Sequence, residues 1–239
     1  MFKYLNSYMN KNCKLMNKEE KESSSVLNSF DFAHIDDLDP SLQDGHKLIY
    51  DRDVPFELRI QGENEAPQEV GTLEAIRVKI LQLSEDKTVS SLKIEITSES
   101  DLFFHYVHNV DDSGFKMMQQ NQKLMIEFND YPGVLIKMLN SCIKEPNCFL
   151  AVFIMKNDGT GRLDFIQNME YKFIELLSVN FNATTEENVR QHITYRYNAL
   201  KSKLAIMQGR LQDINNLVKL KFPSLLLQIQ KTSQQTPNK

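Results

Sequence analysis

The chain has 239 residues, of which 41% are hydrophobic, so it is long enough for one medium-sized domain with a buried core plus an appendage. It carries a net charge of −4, and its three cysteines, Cys13, Cys142 and Cys148, form no CxxC pair, which indicates reduced thiols in a cytosolic protein. No apolar run is long enough for a secretory signal or a membrane span, which excludes these classes and any expected membrane partner.

The first part of the chain predicts a flexible extension followed by a strand-rich head. Residues 1–45 are rich in Asn, Lys, Ser and Glu and show little periodicity, as is typical of a flexible segment. From residue 46 onward the alternation of apolar and polar residues predicts strands. These strands are KLIYDRDVPFELRI, LEAIRVKILQL, SSLKIEITSE, FFHYVHNV, KLMIEF, CFLAVFIM, RLDFIQNM and EYKFIELLSVNF. Asp158-Gly159 predicts a hairpin turn between two of them.

Two helical patterns interrupt the strands. DDSGFKMMQQNQ begins with an Asp or Ser cap, and YPGVLIKMLNSC has Pro132 in its first turn, where proline is tolerated. The expected fold class is therefore α+β: an antiparallel β-sandwich or barrel head over residues 46–183 with a helix-turn-helix insert. We expect four apolar residues of this head to be buried: Phe104, Phe128, Leu139 and Phe153.

A short heptad ladder follows the head and predicts a C-terminal coiled-coil helix over residues 184–222. Apolar residues at alternating steps of four and three keep one stripe facing a partner helix. The seam consists of Ile193, Tyr197, Leu200, Leu204, Met207, Leu211, Ile214 and Val218. Thr184 or Thr185 caps the helix, Pro223 ends or kinks it, and residues 223–239 are a polar, flexible tail. The alternative is an amphipathic helix packed back on its own head.

The stem is basic, with nine basic residues against three acidic ones from Thr184 onward, a net charge of +6. A basic helix can attract an acidic polymer, but a solvated coiled-coil flank is the favoured interpretation, so nucleic acid is not an expected partner.

No constellation in the sequence predicts catalysis. His105 and His108 lie three apart in a predicted strand and therefore on opposite faces, so they cannot easily share a metal ion. Asp111-Asp112 is explained by helix capping, and the glycines of NDGTGR lack the strand and helix that a phosphate loop needs. We therefore predict a protein that is not an enzyme and has no metal site and no cofactor.

The stretch from Leu48 to Phe181 resembles the N-terminal head of the spindle assembly abnormal protein 6 family, the centriolar cartwheel proteins. Three segments carry the resemblance: LIYDRDVPFELRI, the block from SDLFFHYVHNV to YPGVLIKMLNSC, and LDFIQNMEYKFIELLSVNF. The resemblance implies a β-sandwich head with a helix-turn-helix, a parallel dimeric coiled coil, and heads that pair through a hairpin whose bulky apolar residue enters a pocket on the partner.

The resemblance places the knob of this hairpin at Tyr171, two residues after Met169, and suggests Phe115 and Met118 as walls of the pocket. The family has an Asn-Pro-aromatic run where this chain has Met-Glu-Tyr, so the hairpin loses a proline and the knob gains a hydroxyl group. The seam is also much shorter than in the usual family members. In this the chain is similar to the short, stem-poor paralogue of apicomplexan and kinetoplastid protists, and its ends favour a complete paralogue over a truncated chain.

The expected function is structural. The chain would dimerise through its stem and assemble further through its heads, building a cartwheel hub at a centriole or basal body, or a related structure of the apical complex. It would be a cytoplasmic, cytoskeletal protein whose main partner is itself, with other centriolar or cytoskeletal proteins as further partners. The alternative is a scaffold of DNA end joining, which has the same combination of head and coiled coil.

Overall fold

A computed structural model describes residues 32–61, 71–85 and 88–221 of the chain. It divides into two units, each of which is described by itself. Pro40–Ile193 form the head unit, and the described residues of Met1–Asp39 and Thr194–Lys239 form the second unit.

Seven strands close into a barrel in the head unit. Their bounds are β1 Lys47–Gln61, β2 Thr72–Glu85, β3 Thr88–Ser98, β4 His105–Asp111, β5 Phe149–Lys156, β6 Thr160–Met169 and β7 Lys172–Ala183. The order around the barrel is β1-β2-β3-β4-β7-β6-β5. All neighbours are antiparallel except β1 and β5, which run parallel where the two ends of the sheet meet.

The core fills the barrel because buried apolar side chains alternate with less buried ones along strands such as β1, whereas four consecutive residues of β5 are buried. In β1, for example, Val54, Phe56 and Leu58 are buried at every second position. Phe153 lies at the centre, and the rings of Phe104, Tyr106 and Phe181 pack around it. The four residues expected to be buried are all in this core: Phe104, Phe128, Leu139 and Phe153.

Two glycines make this packing and its hairpin possible. A Cβ atom at Gly161 would lie 2.5 Å from the ring of Phe153, so no larger residue fits there. Gly159 has φ +82° in the β5–β6 turn, a conformation that glycine adopts without strain, as the Asp158-Gly159 pair predicts.

Two helices, α1 Asp112–Gln122 and α2 Tyr131–Lys144, connect β4 to β5. Asp111 caps α1 by accepting a hydrogen bond from the backbone N–H of Gly114. The predicted helix-turn-helix insert is therefore confirmed.

The thiol of Cys142 in α2 is buried, which raises its pKa to about 11 and keeps it protonated, whereas Cys148 is exposed.

The strand predicted at KLMIEF is wrong, because residues 123–128 form the turn between the two helices. Lys123 ends α1 in the left-handed conformation, with φ 55°, and this redirects the chain. The carbonyl of Ile126 accepts a hydrogen bond from the side chain of Gln119 rather than from a neighbouring strand.

Helix α3 spans Glu186–Lys221. With the closed sheet and the helical insert, it confirms the predicted fold class, with the parallel pair β1–β5 as the one departure from an antiparallel barrel.

The predicted flexible extension, residues 1–45, lies partly outside the described residues; its last part, Pro40–Gly45, forms a 3₁₀ segment of the head unit. The tail from residue 223 lies outside the described residues. Among the helices that the structure describes, none has the length and apolar character needed to cross a membrane.

Candidate self-assembly surfaces

The β6–β7 hairpin carries the most exposed aromatic side chain of the head. Met169 pairs with Lys172, so the loop has only two residues, Glu170 and Tyr171. Tyr171 is 90% exposed, and its hydroxyl donates a hydrogen bond to the neighbouring Glu170 carboxylate. Neither loop residue has a positive φ, so the turn is not the type I′ that would follow the twist of the strands. The tip therefore presents its tyrosine to solvent.

Further apolar side chains surround Tyr171 at the base of the tip. Met169, Phe173 and Ile174 are all exposed. β4 pairs with β7 only at Ala183 and Asn182, so the first half of β7 projects beyond the strand next to it. An exposed apolar cluster of this kind on a folded domain is typical of a binding surface.

A second feature of the head is a depression between α1, the α1–α2 turn and the start of β3. Its volume is about 570 Å³, within the range of pockets that hold drug-sized ligands, so a single aromatic side chain is small enough to enter it. The floor is aromatic: the rings of Phe115 and Phe128 pack 5.3 Å apart between their centroids. Val89 adds an aliphatic wall.

The rim of this depression is polar and fixed by hydrogen bonds. Asp112 pairs with Lys116 one helical turn later, at 2.5 Å. The side chain of Asn129 accepts a hydrogen bond from the backbone N–H of Val89. An apolar floor with a polar rim suits a side chain that has both a ring and a hydroxyl group.

The residues predicted for the head contact lie in two places. Tyr171 and Met169 are on the hairpin, and Phe115 is in the floor of the depression. Met118 is not among the lining residues; its sulfur lies 4.0 Å from the Tyr131 hydroxyl, beneath the helix. The sequence did not identify Phe128 and Val89 as lining residues, although Phe128 belongs to the block that carries the family resemblance.

The stem helix α3 begins at a capped N-terminus. The Thr185 hydroxyl accepts a hydrogen bond from the backbone N–H of Asn188, and Glu186 pairs with Arg190 one turn later. These contacts and the acidic first turn favour a helix start at this point.

The predicted seam is exposed along most of α3. Six of its residues are more than half exposed: Tyr197, Leu200, Leu204, Met207, Leu211 and Ile214. Ile193 and Val218, at its two ends, are partly buried. In a single chain the heptad ladder therefore lies in water, which is unfavourable for so continuous an apolar stripe.

A different face of α3 contacts the helical segment of residues 32–36 within the second unit. The Tyr195 hydroxyl donates a hydrogen bond to the carbonyl of Ile35, and Lys203 forms an ion pair with Asp36 at 2.7 Å. The guanidinium of Arg210 lies 4.3 Å from the ring centroid of Phe32, a cation–π contact. This contact leaves the seam uncovered.

Comparison with known proteins finds one family and several relatives. The family described as the centriolar protein SAS N-terminal domain matches residues 48–181, more than half of the chain. The spindle assembly abnormal protein 6 homolog of Gallus gallus is 21% identical over 174 residues, which cover 70% of this chain and 27% of that protein. The homolog of Danio rerio is 22% identical over 147 residues, covering 57% of this chain and 23% of that protein. The chain thus spans about a quarter of the length of these relatives.

Solved structures with a similar fold include two N-terminal fragments that contain coiled coil. A fragment of Leishmania SAS-6 with parts of its coiled-coil domain has a TM-score of 0.62 at 14% identity, covering 76% of this chain and 99% of that one. A fragment of Drosophila melanogaster Sas-6, described as dimerised via the coiled-coil domain, has a TM-score of 0.62 at 15% identity and covers 82% of this chain and 93% of that one. At these identities the likeness concerns the fold.

Proposed function

The chain belongs to the centriolar protein SAS N-terminal domain family, and from this premise we propose that it is a structural self-assembly protein of a centriole or basal-body cartwheel. In this proposal two copies pair through the seam of α3, and the heads of neighbouring dimers pair through the β6–β7 hairpin. The role is mechanical and requires no catalytic chemistry or cofactor.

The exposed seam is the observation that carries the proposal. A second copy of the same helix would cover the apolar ladder with an identical ladder, as the 3.5-residue repeat favours. A heteromeric partner would need its own matching heptads, whereas a second copy has them by definition. A parallel homodimer is therefore the simplest way to remove the seam from water.

For the head contact we propose that Tyr171 of one head enters the depression floored by Phe115 and Phe128 on another head. The ring would lie against the aromatic floor, and the phenol hydroxyl would reach the polar rim. Two-fold symmetry would place two such pairs in one contact. Each ring would contribute about 1.5–3 kcal/mol from burial, so the contact between isolated heads is weak.

This head contact is tested by complementation in the Leu204→Asp/Leu211→Asp background, which removes the stem contact. Tyr171→Ala deletes the knob and leaves the depression open. Lys116→Trp fills the depression from its own chain and leaves the knob intact; it removes only a surface ion pair, which contributes little stability. Each variant alone should fail to self-associate at concentrations where the parent heads pair.

An equimolar mixture of the two variants should associate again, because one intact knob then meets one intact depression. Its affinity should lie below that of the parent, which has two such pairs, and sedimentation velocity measures the difference. If the mixture stays monomeric while the parent pairs, Tyr171 does not enter this depression. If Tyr171→Ala alone pairs as the parent does, the hairpin is not the contact.

The cellular role is tested by imaging a tagged copy of the full chain. Labelling of centrioles or basal bodies supports the cartwheel role, whereas an apical ring or a nuclear signal contradicts it. For the nuclear outcome a second assay is decisive: a DNA end-joining scaffold would retard DNA in a salt-sensitive manner, because phosphate contacts release counterions.

A further inference from the structure

We propose that Glu95, His105 and His192 form a binding site for a divalent transition metal ion, with zinc as the best match, between the barrel and the second turn of α3. This site lies within the head unit and is independent of the assembly surfaces described above. Among the described residues, these three form a cluster of potential ligands whose donor atoms all lie within 4.8 Å of one another.

The sheet register brings the first two ligands together. Glu95 pairs with Val107, and Thr97 pairs with His105, so Glu95 and His105 are diagonal neighbours on adjacent strands. Residues two apart share one face of a strand, so both side chains point to the same side. His192 then approaches from α3, with its ring centroid 4.4 Å from that of His105 and the two rings nearly perpendicular.

The donor set favours zinc over the hard cations. Two imidazoles and one carboxylate, with a water molecule in the fourth position, are a composition found in zinc sites with three protein ligands. Calcium and magnesium prefer oxygen ligands, so the two histidines disfavour them. Zinc takes nitrogen and oxygen ligands at about 2.0–2.2 Å in tetrahedral geometry, which places its ligand atoms about 3.4 Å apart. The spread of up to 4.8 Å therefore requires a shift of roughly 1.4 Å, which His192 can provide because it is only partly buried.

The surroundings meet two further requirements of a metal site. Glu95 and His105 are each 2% exposed, so two of the ligands are held in a protein interior. A depression of about 400 Å³ is lined by all three ligands and by Asn182, Thr184 and Asn188, which gives a metal ion access and leaves room for a bound water.

The Glu95 carboxylate already has an outer shell and a resident cation. The Ser41 hydroxyl donates a hydrogen bond to one of its oxygens at 2.5 Å, and such support orients a metal-binding carboxylate. The ammonium of Lys93 lies 2.6 Å from the other oxygen.

Lys93 therefore competes with a metal ion for the same carboxylate. It also lines the depression, so its side chain can swing outward when a metal ion binds. Removal of its charge should strengthen metal binding, a result that a merely structural ion pair would not give.

The experiment is a calorimetric titration of the full chain with zinc, together with melting curves with and without zinc. Because thiols also bind zinc, every protein carries Cys13→Ser and Cys148→Ser. The first variant, His192→Gln, removes the ligand with the least burial, and His34→Gln, an exposed histidine elsewhere, is the matched control. The second variant, Lys93→Met, keeps an unbranched side chain, one atom shorter, and removes its charge.

The parent and the His34→Gln control should each bind one equivalent of zinc and melt at a higher temperature in its presence. His192→Gln should bind at least about 100-fold more weakly, since loss of even an outer-shell partner costs 10–100-fold, and zinc should not raise its melting temperature. Lys93→Met should bind zinc more tightly than the parent. The proposal is overturned if the parent takes up no zinc, if His192→Gln binds as the parent does, or if Lys93→Met binds more weakly.

Discussion

Phe128 connects the core of the head to the floor of the depression. Its side chain is 7% exposed and packs on Phe115. Phe128→Ala should lower the free energy of unfolding by about 3–5 kcal/mol, because it removes a buried ring and leaves a cavity. Urea denaturation followed by circular dichroism measures this in the Leu204→Asp/Leu211→Asp background, where the stem contact does not contribute.

Phe103→Ala is the matched control, because Phe103 is 73% exposed and its substitution should change the stability by no more than about 0.5 kcal/mol. Equal losses for the two variants would show that Phe128 is not a core residue.

Single residues were predictable from the sequence where one pattern decides their environment. Phe153 lies in the continuous apolar run of β5 and Leu139 on the apolar stripe of α2, so their burial follows from the local sequence, and Phe104 is buried directly before β4. Phe115 and Met118 lie three apart on α1 and share a face, yet only Phe115 lines the depression. The sequence cannot separate them, because the difference depends on where Tyr131 and the barrel meet the helix. The same limit applies to His192, whose approach to His105 depends on the packing of α3.

At the scale of elements, the α1–α2 turn shows why a strand-like run failed to form a strand. Lys123 adopts φ 55°, a left-handed conformation that costs a non-glycine residue about 1–2 kcal/mol. Lys123→Gly should therefore leave the stability unchanged or raise it slightly, whereas Lys123→Ile should lower it by about 1–2 kcal/mol. Thermal denaturation of both variants measures the difference. A lower stability for the glycine variant than for the isoleucine variant would mean that the turn does not require this conformation.

The stem is the element that the heptad pattern predicts most directly, since its helix contains all eight seam residues. Leu204→Asp/Leu211→Asp should give a folded monomer, because the charges would be buried at the seam without partners. Their burial would cost about 3–5 kcal/mol and lower the affinity of the stem dimer more than 100-fold. Leu220→Asp is the control, because Leu220 is equally apolar but lies off the seam and is highly exposed. Equilibrium sedimentation distinguishes these cases, and a wild-type chain that stays monomeric at hundreds of micromolar would contradict the coiled coil.

At the scale of the whole molecule, the proposed assembly uses two different self-complementary contacts. A chain with one such contact stops at a dimer, whereas two contacts generate a closed ring or an open helical array. The seam and the hairpin surface are separate predictions, one from a periodic pattern and the other from a family resemblance. Whether the array closes depends on the angle between the two contacts, which no local pattern in the sequence encodes.

The two contacts should also differ in strength, and this gives the assembly a defined order. The proposed head contact should be weak because it relies on single aromatic rings, and stem pairing would raise the effective concentration of heads for the next contact. Wild-type chains should therefore form dimers first and larger species only at higher concentration. Tyr171→Glu should remain a dimer at every concentration, because a charge enters an apolar floor only at high cost.

Light scattering and negative-stain electron microscopy measure this for the full chain, with Phe103→Glu as the matched control on another exposed aromatic residue. The control should form the same rings or filaments as the wild type, and Tyr171→Glu should form none. The combination of Tyr171→Glu with the two seam substitutions should be monomeric, because neither contact remains. Large species from Tyr171→Glu would show that heads associate through a surface other than the β6–β7 hairpin, while the stem dimer would still stand.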